Sequence, residues 1–339
     1  MNGEDHRVGE PAALPRGWVR GQGWGPWGDD DQIGAQNGLD EALVKHAVLG
    51  MVKKGKVYDL DPGRFNGMAI HWFHPPYMLM RYHCPAGFRA DRGLFGTTFT
   101  ETDPRAQIGL NELVIGSQHT GAHVDALCHI TVGKYPGEPD DPDNGYFYNG
   151  FSVLEHAGDL GIRKADIASM PPLVSRGVLV DVYGYFESRG EEALLDGDHE
   201  VTQAELEAIL AWEGVDINPG DCVLIRTGIM RYWKNWPEVL EHCYHSVGPG
   251  CKGAAFLVQQ KGAVFVASDT LVLEHHPEEP GQGADPVHVF LLVEQGVHIG
   301  ECFWLEDLAK DHTYEFLFIV SPLKLEGGTG SMVRPIAIS

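Results

Sequence analysis

The chain has 339 residues, of which 43% are hydrophobic and 22% charged, the composition of a soluble globular protein with room for a large α/β core. Its 48 acidic and 25 basic residues give a formal charge of −23, which repels phosphate backbones and anionic lipid surfaces. We therefore expect no nucleic-acid partner and no membrane partner. The six cysteines show no CxxC spacing and are expected to be reduced thiols.

The first 40 residues are expected to form an irregular, partly disordered N-terminal arm, because residues 1–16 are polar and residues 17–40 are rich in Trp and Gly. The start of the chain lacks a basic segment followed by an apolar run, and no stretch approaches the ~20 apolar residues of a membrane span. A cytoplasmic location is expected. Residues 41–339 are predicted to form one domain.

The elements after the arm alternate between helix and strand, which is typical of α/β architecture. Residues 42–55 have helical periodicity and are predicted to end at Gly55, and a short strand follows at 56–60. Four apolar runs of strand length are predicted to be buried strands: 177–183, 222–228, 262–268 and 288–293. Two helices are predicted between them, 201–212 with a capping box at Thr202 and Glu205, and 251–262 ending at Gly262.

The stretch 134–150, KYPGEPDDPDNGYFYNG, is rich in turn residues and is predicted to be a surface loop. Its acidic residues miss the alternate-position spacing of a calcium loop, so a solvated turn is favoured.

Three histidines and one aspartate lie within residues 118–130, QHTGAHVDALCHI. A single helix would place His119 and His123 on one face and His129 elsewhere, so we expect a chain that turns and brings them together with Asp125. Imidazole and carboxylate are ligands for Zn²⁺ or Mn²⁺, and a site with an open position activates water for hydrolysis. The alternative is a turn with hydrogen-bonded polar side chains.

Several competing catalytic motifs are absent: the sequence has no GxSxG elbow, no Walker A motif and no GxGxxG after a strand. Cys128 is not expected to be a nucleophile, since the histidines beside it are better suited to metal binding. In the segment LEHHPEE, Glu274, His275 and His276 are predicted to be solvated. Asp269, at the end of an apolar run, is expected either to lie at the edge of the site or to cap the following turn.

The cluster resembles the H-x-G-T-H-x-D-x-P-x-H signature of the cyclase or kynurenine formamidase family of metal-dependent hydrolases, which includes isatin hydrolase and trans-dienelactone hydrolase. The resemblance extends over nearly the whole chain from about residue 20, through GWGPWGDDDQIGAQN, NPGDCVLIRTG, GAAFLVQQKGAVFVASDT, HVFLLVEQGVHIGECFWLEDL and PLKLEGGTGS. It implies a swivelling β/β/α fold and a homo-oligomer, a dimer or tetramer.

The resemblance also implies the roles of individual residues. His119, His123 and Asp125 match the metal ligands of the signature, and His288 and Glu301 match residues that complete a second metal position in binuclear members. One or two ions, Zn²⁺ or Mn²⁺, are therefore expected in each chain. His129 matches the last signature histidine, a general acid/base. Ala122 and Leu127 depart from the signature Thr and Pro, but neither position is a ligand, so metal binding is expected to survive.

Aromatic side chains near the ends of the first predicted elements are candidates for a substrate wall, because organic substrates bind in apolar pockets. These candidates are Trp24, Trp72 and Phe73; core packing is the alternative. The sequence thus predicts a metal-dependent hydrolase that cleaves an amide, lactam or lactone of a small cyclic or aryl substrate. A non-catalytic metal-binding homologue and a metal-dependent lyase or dehydratase remain as alternatives.

Overall fold

The structure is a computed structural model that describes residues 27–71, 73–83, 111–133, 145–191, 199–235, 246–276 and 285–339. The predicted α/β class is confirmed, because one nine-stranded sheet forms the centre of the molecule and helices pack against it.

The strands are β1 (Val57–Asp59), β2 (Met78–His83), β3 (Asn111–Ile115), β4 (His123–Asp125), β5 (Ala157–Gly158), β6 (Gly161–Ile162), β7 (Leu173–Asp181), β8 (Glu200–Val201), β9 (Cys222–Arg226), β10 (Gly248–Pro249), β11 (Phe265–Ser268), β12 (His298–Glu301), β13 (Glu315–Val320), β14 (Gly330–Met332) and β15 (Ile336–Ile338). The helices are α1 (Glu41–Met51), α2 (Val153–His156), α3 (Val182–Ser188), α4 (Gln203–Glu213), α5 (Cys251–Ala255), α6 (Pro286–His288) and α7 (Glu306–Lys310). Two π-helical segments, Phe256–Gln260 and Val289–Gln295, continue α5 and α6.

The large sheet has the order β1-β15-β13-β7-β9-β11-β12-β4-β14. Its centre is parallel from β7 through β9 and β11 to β12, and the remaining pairs are antiparallel. Every residue of β9, β11 and β12 is buried, as expected for parallel strands that are covered on both faces. Phe265, Phe303 and Phe318 pack together with ring centroids 5.7–6.4 Å apart in this core.

The predicted helix 201–212 is confirmed as α4, including its capping box at Thr202 and Glu205. The first helix is shorter than predicted: α1 ends at Met51, because the backbone N–H groups of Lys54 and Gly55 donate to the carbonyl of Ser339 instead of continuing the helix. The strand predicted at 177–183 is also shifted, since β7 ends at Asp181, whose side chain caps α3 through Gly184.

Two predictions are wrong. Residues 288–293 are helical rather than a strand, because α6 begins at Pro286 and continues through a π-helical segment to Gln295. The segment 145–150 is not a solvated loop: Phe147 and Tyr148 are buried, and the Tyr148 hydroxyl donates to Asp31. The rest of that predicted loop, 134–144, lies outside the described residues.

None of the helices in the described ranges is long and apolar enough to cross a membrane.

Candidate metal centre

The histidine cluster lies on the loop that leads into β4 and on β4 itself. This three-residue strand, His123–Asp125, is entirely buried between β12 and β14. Its register places His123 opposite Glu301 of β12. Because β12 runs parallel to its other neighbour, Glu301 lies at the carboxyl end of the parallel strands, where ligand sites of α/β sheets form. The sheet therefore brings a signature residue and a distant carboxylate together.

Arg64 holds the loop before β4 in place. Its guanidinium donates to the carbonyls of Thr120 (2.9 Å), Ala122 and Val333 (3.1 Å), and it also pairs with Asp61 (2.9 Å). These hydrogen bonds satisfy backbone carbonyls at the point where the chain turns. The loop that carries His119 into β4 is thus held by an arginine from another part of the chain.

Four side chains converge on one buried point. His123 Nε2 lies 3.2 Å from Glu301 Oε2 and 3.6 Å from Asp125 Oδ1. His288 Nε2 lies 3.3 Å from Glu301 Oε1 and 3.6 Å from Asp125 Oδ2. The four residues are at most 5% exposed. Each imidazole therefore faces oxygen atoms of both carboxylates.

His119 and His129 lie beside the same aspartate. His119 Nδ1 is 2.7 Å from Asp125 Oδ1, its Nε2 is 3.0 Å from the Thr329 hydroxyl oxygen, and its ring stacks on His129 with centroids 4.0 Å apart. Two groups of ligand atoms each lie within 4.8 Å of one another: His119, Asp125 and His129, and His123, Asp125 and Glu301. Asp125 belongs to both groups.

The donor set fits a divalent ion. Among the described residues, Asp125 Oδ2 is buried without a hydrogen-bond partner, which is costly unless a cation or proton lies beside it. His123 donates through Nδ1 to the Gly121 carbonyl (2.8 Å), which leaves Nε2 to face the carboxylates. Imidazole nitrogen and carboxylate oxygen together suit Zn²⁺ or Mn²⁺.

The charges of the site follow from its packing. Burial alone would raise the pKa of Asp125, but the nearby imidazoles, His129 foremost, hold that pKa well below its usual range. Hydrogen bonds from His123 and His288 outweigh burial and lower the pKa of Glu301 to about 2. The pKa of His288 is raised well above its usual range, because adjacent carboxylates outweigh the burial of its ring. Desolvation lowers the pKa of His129 to about 3. At neutral pH both carboxylates are ionised and His129 is uncharged.

The outer side of the site is lined by rings from the segment before β2. His74 is half-buried and stacks on His119, with centroids 5.1 Å apart and planes 6° apart. Phe73 contacts His74 with ring centroids 5.6 Å apart and is 70% exposed. Phe73 is therefore separated from His119 by the His74 ring, and its role in substrate binding stays a prediction. Trp24 and Trp72 lie outside the described residues.

The sequence also offered Asp269, Cys128 and Glu274 as candidates, and the contacts and burial of each define its role. Asp269 is buried and accepts hydrogen bonds from the Thr227 N–H, the Thr227 hydroxyl and the Gly228 N–H (2.7–2.8 Å), so it caps that turn. Burial raises the pKa of the Cys128 thiol, which is unsuited to nucleophilic attack. The prediction that Glu274 is solvated is wrong: it is 1% exposed and hydrogen-bonds His288.

A family model matches most of the chain. The model described as "Putative cyclase" matches residues 59–275, well over half of the chain. No curated protein sequence matches the chain significantly.

Solved structures show the same fold. A structure titled as a novel cyclase is 27% identical, with a TM-score of 0.75, and covers 92% of this chain and 96% of its own. Isatin hydrolase A from Ralstonia solanacearum is 18% identical, with a TM-score of 0.59 over 88% of this chain and 96% of that one. An isatin hydrolase bound to the product analogue thioisatinate is 18% identical, with a TM-score of 0.56, and the match covers 87% of this chain and 95% of that one. The match of the family model across most of the domain shows that the chain belongs to the cyclase family.

Proposed function

We propose that the chain is a metal-dependent hydrolase that cleaves a C–N or C–O acyl bond of a small cyclic or aryl substrate, such as an amide, a lactam or a lactone. The observation that supports this proposal is the convergence of His123, His288, Asp125 and Glu301 on one buried point. Isatin hydrolases, which share the fold, are named for the hydrolysis of isatin.

The proposed ligands are His119, His123, Asp125, His288 and Glu301, which would hold one or two divalent ions. Both carboxylates present their two oxygens to different imidazoles, so each can bridge two positions. When bound, Zn²⁺ or Mn²⁺ supplies Lewis acidity and lowers the pKa of a water ligand to about 7.

His129 is proposed to move the proton. Its uncharged ring lies against His119 and 6.4 Å from the His288 ring, so it is beside the ligands and free to accept a proton at a ring nitrogen. It would take that proton from the attacking water and return it to the leaving nitrogen or oxygen. His74 and Phe73 are proposed to orient a planar substrate by ring contact and to exclude water from that side.

The experiment combines metal analysis with a substrate screen. The protein is stripped with a chelator, reloaded with Zn²⁺ or Mn²⁺, and assayed on aryl formamides, isatin-like lactams and small lactones. We expect ion-dependent turnover that Asp125→Asn abolishes together with ion binding. Asp269→Asn is the matched control, since it alters a buried carboxylate that contacts none of the proposed ligands.

Labelled water separates the alternatives. Hydrolysis in H₂¹⁸O places one ¹⁸O atom in the carboxylate of the product. An unlabelled product with a new double bond would instead indicate a lyase or dehydratase. Ion binding without turnover of any substrate in the screen would favour the non-catalytic homologue.

A homo-oligomer is part of the proposal. β2 and β3 form a separate two-stranded sheet whose apolar side chains are 39–46% exposed: Met78, Leu79, Met80, Leu113, Val114 and Ile115. A two-stranded ribbon of this kind is marginal in water on its own, and a large exposed apolar patch is typical of an interface. Light scattering after size exclusion should give a dimer or tetramer, and a monomer at micromolar concentration would contradict it.

A further inference from the structure

We infer that Glu274 is a positioning residue of the metal centre, which turns the His288 imidazole so that its Nε2 lone pair faces the ion. The inference rests on the proposed metal centre but concerns a residue that none of the ligand assignments includes. Glu274 lies in the loop between β11 and α6 and is 1% exposed.

The carboxylate of Glu274 makes two kinds of contact. Its Oε1 accepts hydrogen bonds from the backbone N–H groups of Val287 (3.0 Å) and His288 (3.2 Å), at the start of the helix that begins at Pro286. Its Oε2 hydrogen-bonds Nδ1 of the His288 ring. One buried side chain therefore fixes both the backbone and the ring of a proposed ligand.

The contact with Nδ1 decides which ring nitrogen can bind an ion. An ionised carboxylate only accepts hydrogen bonds, so Nδ1 keeps its proton and Nε2 is the nitrogen that offers a lone pair when an ion binds. Nε2 is the atom that lies 3.3 Å from Glu301 and 3.6 Å from Asp125. Ligand histidines are commonly held in this way, and loss of the partner typically lowers metal affinity ~10–100-fold.

The competing explanation is that Glu274 only caps the helix, since a carboxylate at a helix N-terminus is stabilising by itself. Glu274→Gln separates the two roles. The amide oxygen of Gln can still accept from Val287 and His288, so the cap is retained. Its NH₂ group can only donate, so Nδ1 must become the acceptor and the proton moves to Nε2, which then cannot bind an ion.

The test is the affinity for Zn²⁺ and for Mn²⁺, measured by competition with a chelator and therefore independent of any substrate. Glu274→Gln should weaken binding ~10–100-fold. Asp269→Asn is the control, because it alters a buried carboxylate that accepts hydrogen bonds from Thr227 and Gly228 rather than from a proposed ligand; it should stay within about twofold. In the His288→Ala background, adding Glu274→Gln should change affinity less than about twofold, since no ring remains to be positioned.

Thermal unfolding in chelator shows whether each variant is folded. Unchanged affinity in Glu274→Gln, or an equal loss in the His288→Ala background, would overturn the role of Glu274 and leave the metal centre standing. A wild-type protein that binds neither ion would overturn the metal centre itself. If Glu274→Gln does not fold, Glu274→Asp keeps an acceptor and should bind ions more tightly than His288→Ala; equal affinities would overturn the inference.

Discussion

Replacing Gly330 with Ala should disturb the metal centre without removing any proposed ligand. Gly330 is in β14, opposite Asp125 of β4. A Cβ atom at this position would lie 2.5 Å from His119 Cε1 and 2.9 Å from the Val124 carbonyl oxygen. Carbon atoms in unstrained contact are ~3.5–4.0 Å apart, so the His119 ring or the strand must move by ~1 Å.

The size of the effect follows from that displacement. Forcing one extra methyl group into a packed site typically costs ~1–3 kcal/mol of unfolding free energy. A shift of ~1 Å in a catalytic site can lower activity ~10²-fold. We therefore expect Gly330→Ala to be folded but less stable, with weaker ion binding than the unsubstituted protein.

The measurements are denaturant unfolding in chelator and ion titration of the same preparation. Gly158→Ala is the matched control, because its added Cβ would be no closer than 3.6 Å to any neighbour, an ordinary contact. Wild-type stability and ion affinity in Gly330→Ala would refute the reasoning, since the close approach of β14 to His119 would then affect neither the free energy of unfolding nor ion binding.

Three further predictions concern the ligands and the proton carrier. Asp125→Ala should lose bound ion and hydrolysis together by metal analysis and assay; full occupancy would exclude Asp125 as a ligand. His129→Ala should keep its ion and lower kcat at least ~10²-fold in steady-state kinetics, whereas proportional ion loss would make His129 a ligand. Because the pKa of His288 is raised in the ion-free protein, its ring carries a second proton at neutral pH, and an ion that binds Nε2 must displace that proton. Ion affinity should fall as the pH falls, and calorimetry in buffers of different ionisation enthalpy should detect proton release at pH 7; a pH-independent affinity would contradict this.

The parts of the fold that the sequence predicted well are those with local causes. The strand predicted at 222–228 begins with four apolar residues and is bounded by turn residues, and its first five residues form β9. The Thr202 capping box has its partner three residues away. The strand predicted at 288–293 was wrong because the five apolar residues after His288 show no alternation and fit a buried helix as well as a strand. Pro286 before this run and Gly296 after it, at φ +64°, mark a helix.

The residues of the site also divide into those that lie close together in sequence, which were predicted from local spacing, and those that lie far apart. The cluster from His119 to His129 was evident because its members are close in sequence, whereas His288 and Glu301 came only from the family resemblance. Glu274, Thr329 and Arg64 were not predicted to contact the cluster. Each is a single polar residue whose partner in the site is distant in sequence or in another loop, so no local spacing marks it.

The register between β4 and β12 also determines when the centre can form. The strands β7, β9 and β11 lie in the chain between the signature loop and Glu301, so His123 can meet Glu301 only after synthesis has passed these strands and reached β12. Pairings this distant in sequence form slowly, and of the donor set the nascent N-terminal half holds only the histidines and the aspartate of residues 119–129. The complete donor set would be available to an ion only after β12 has been synthesised, so discrimination between metals would depend on that assembled set.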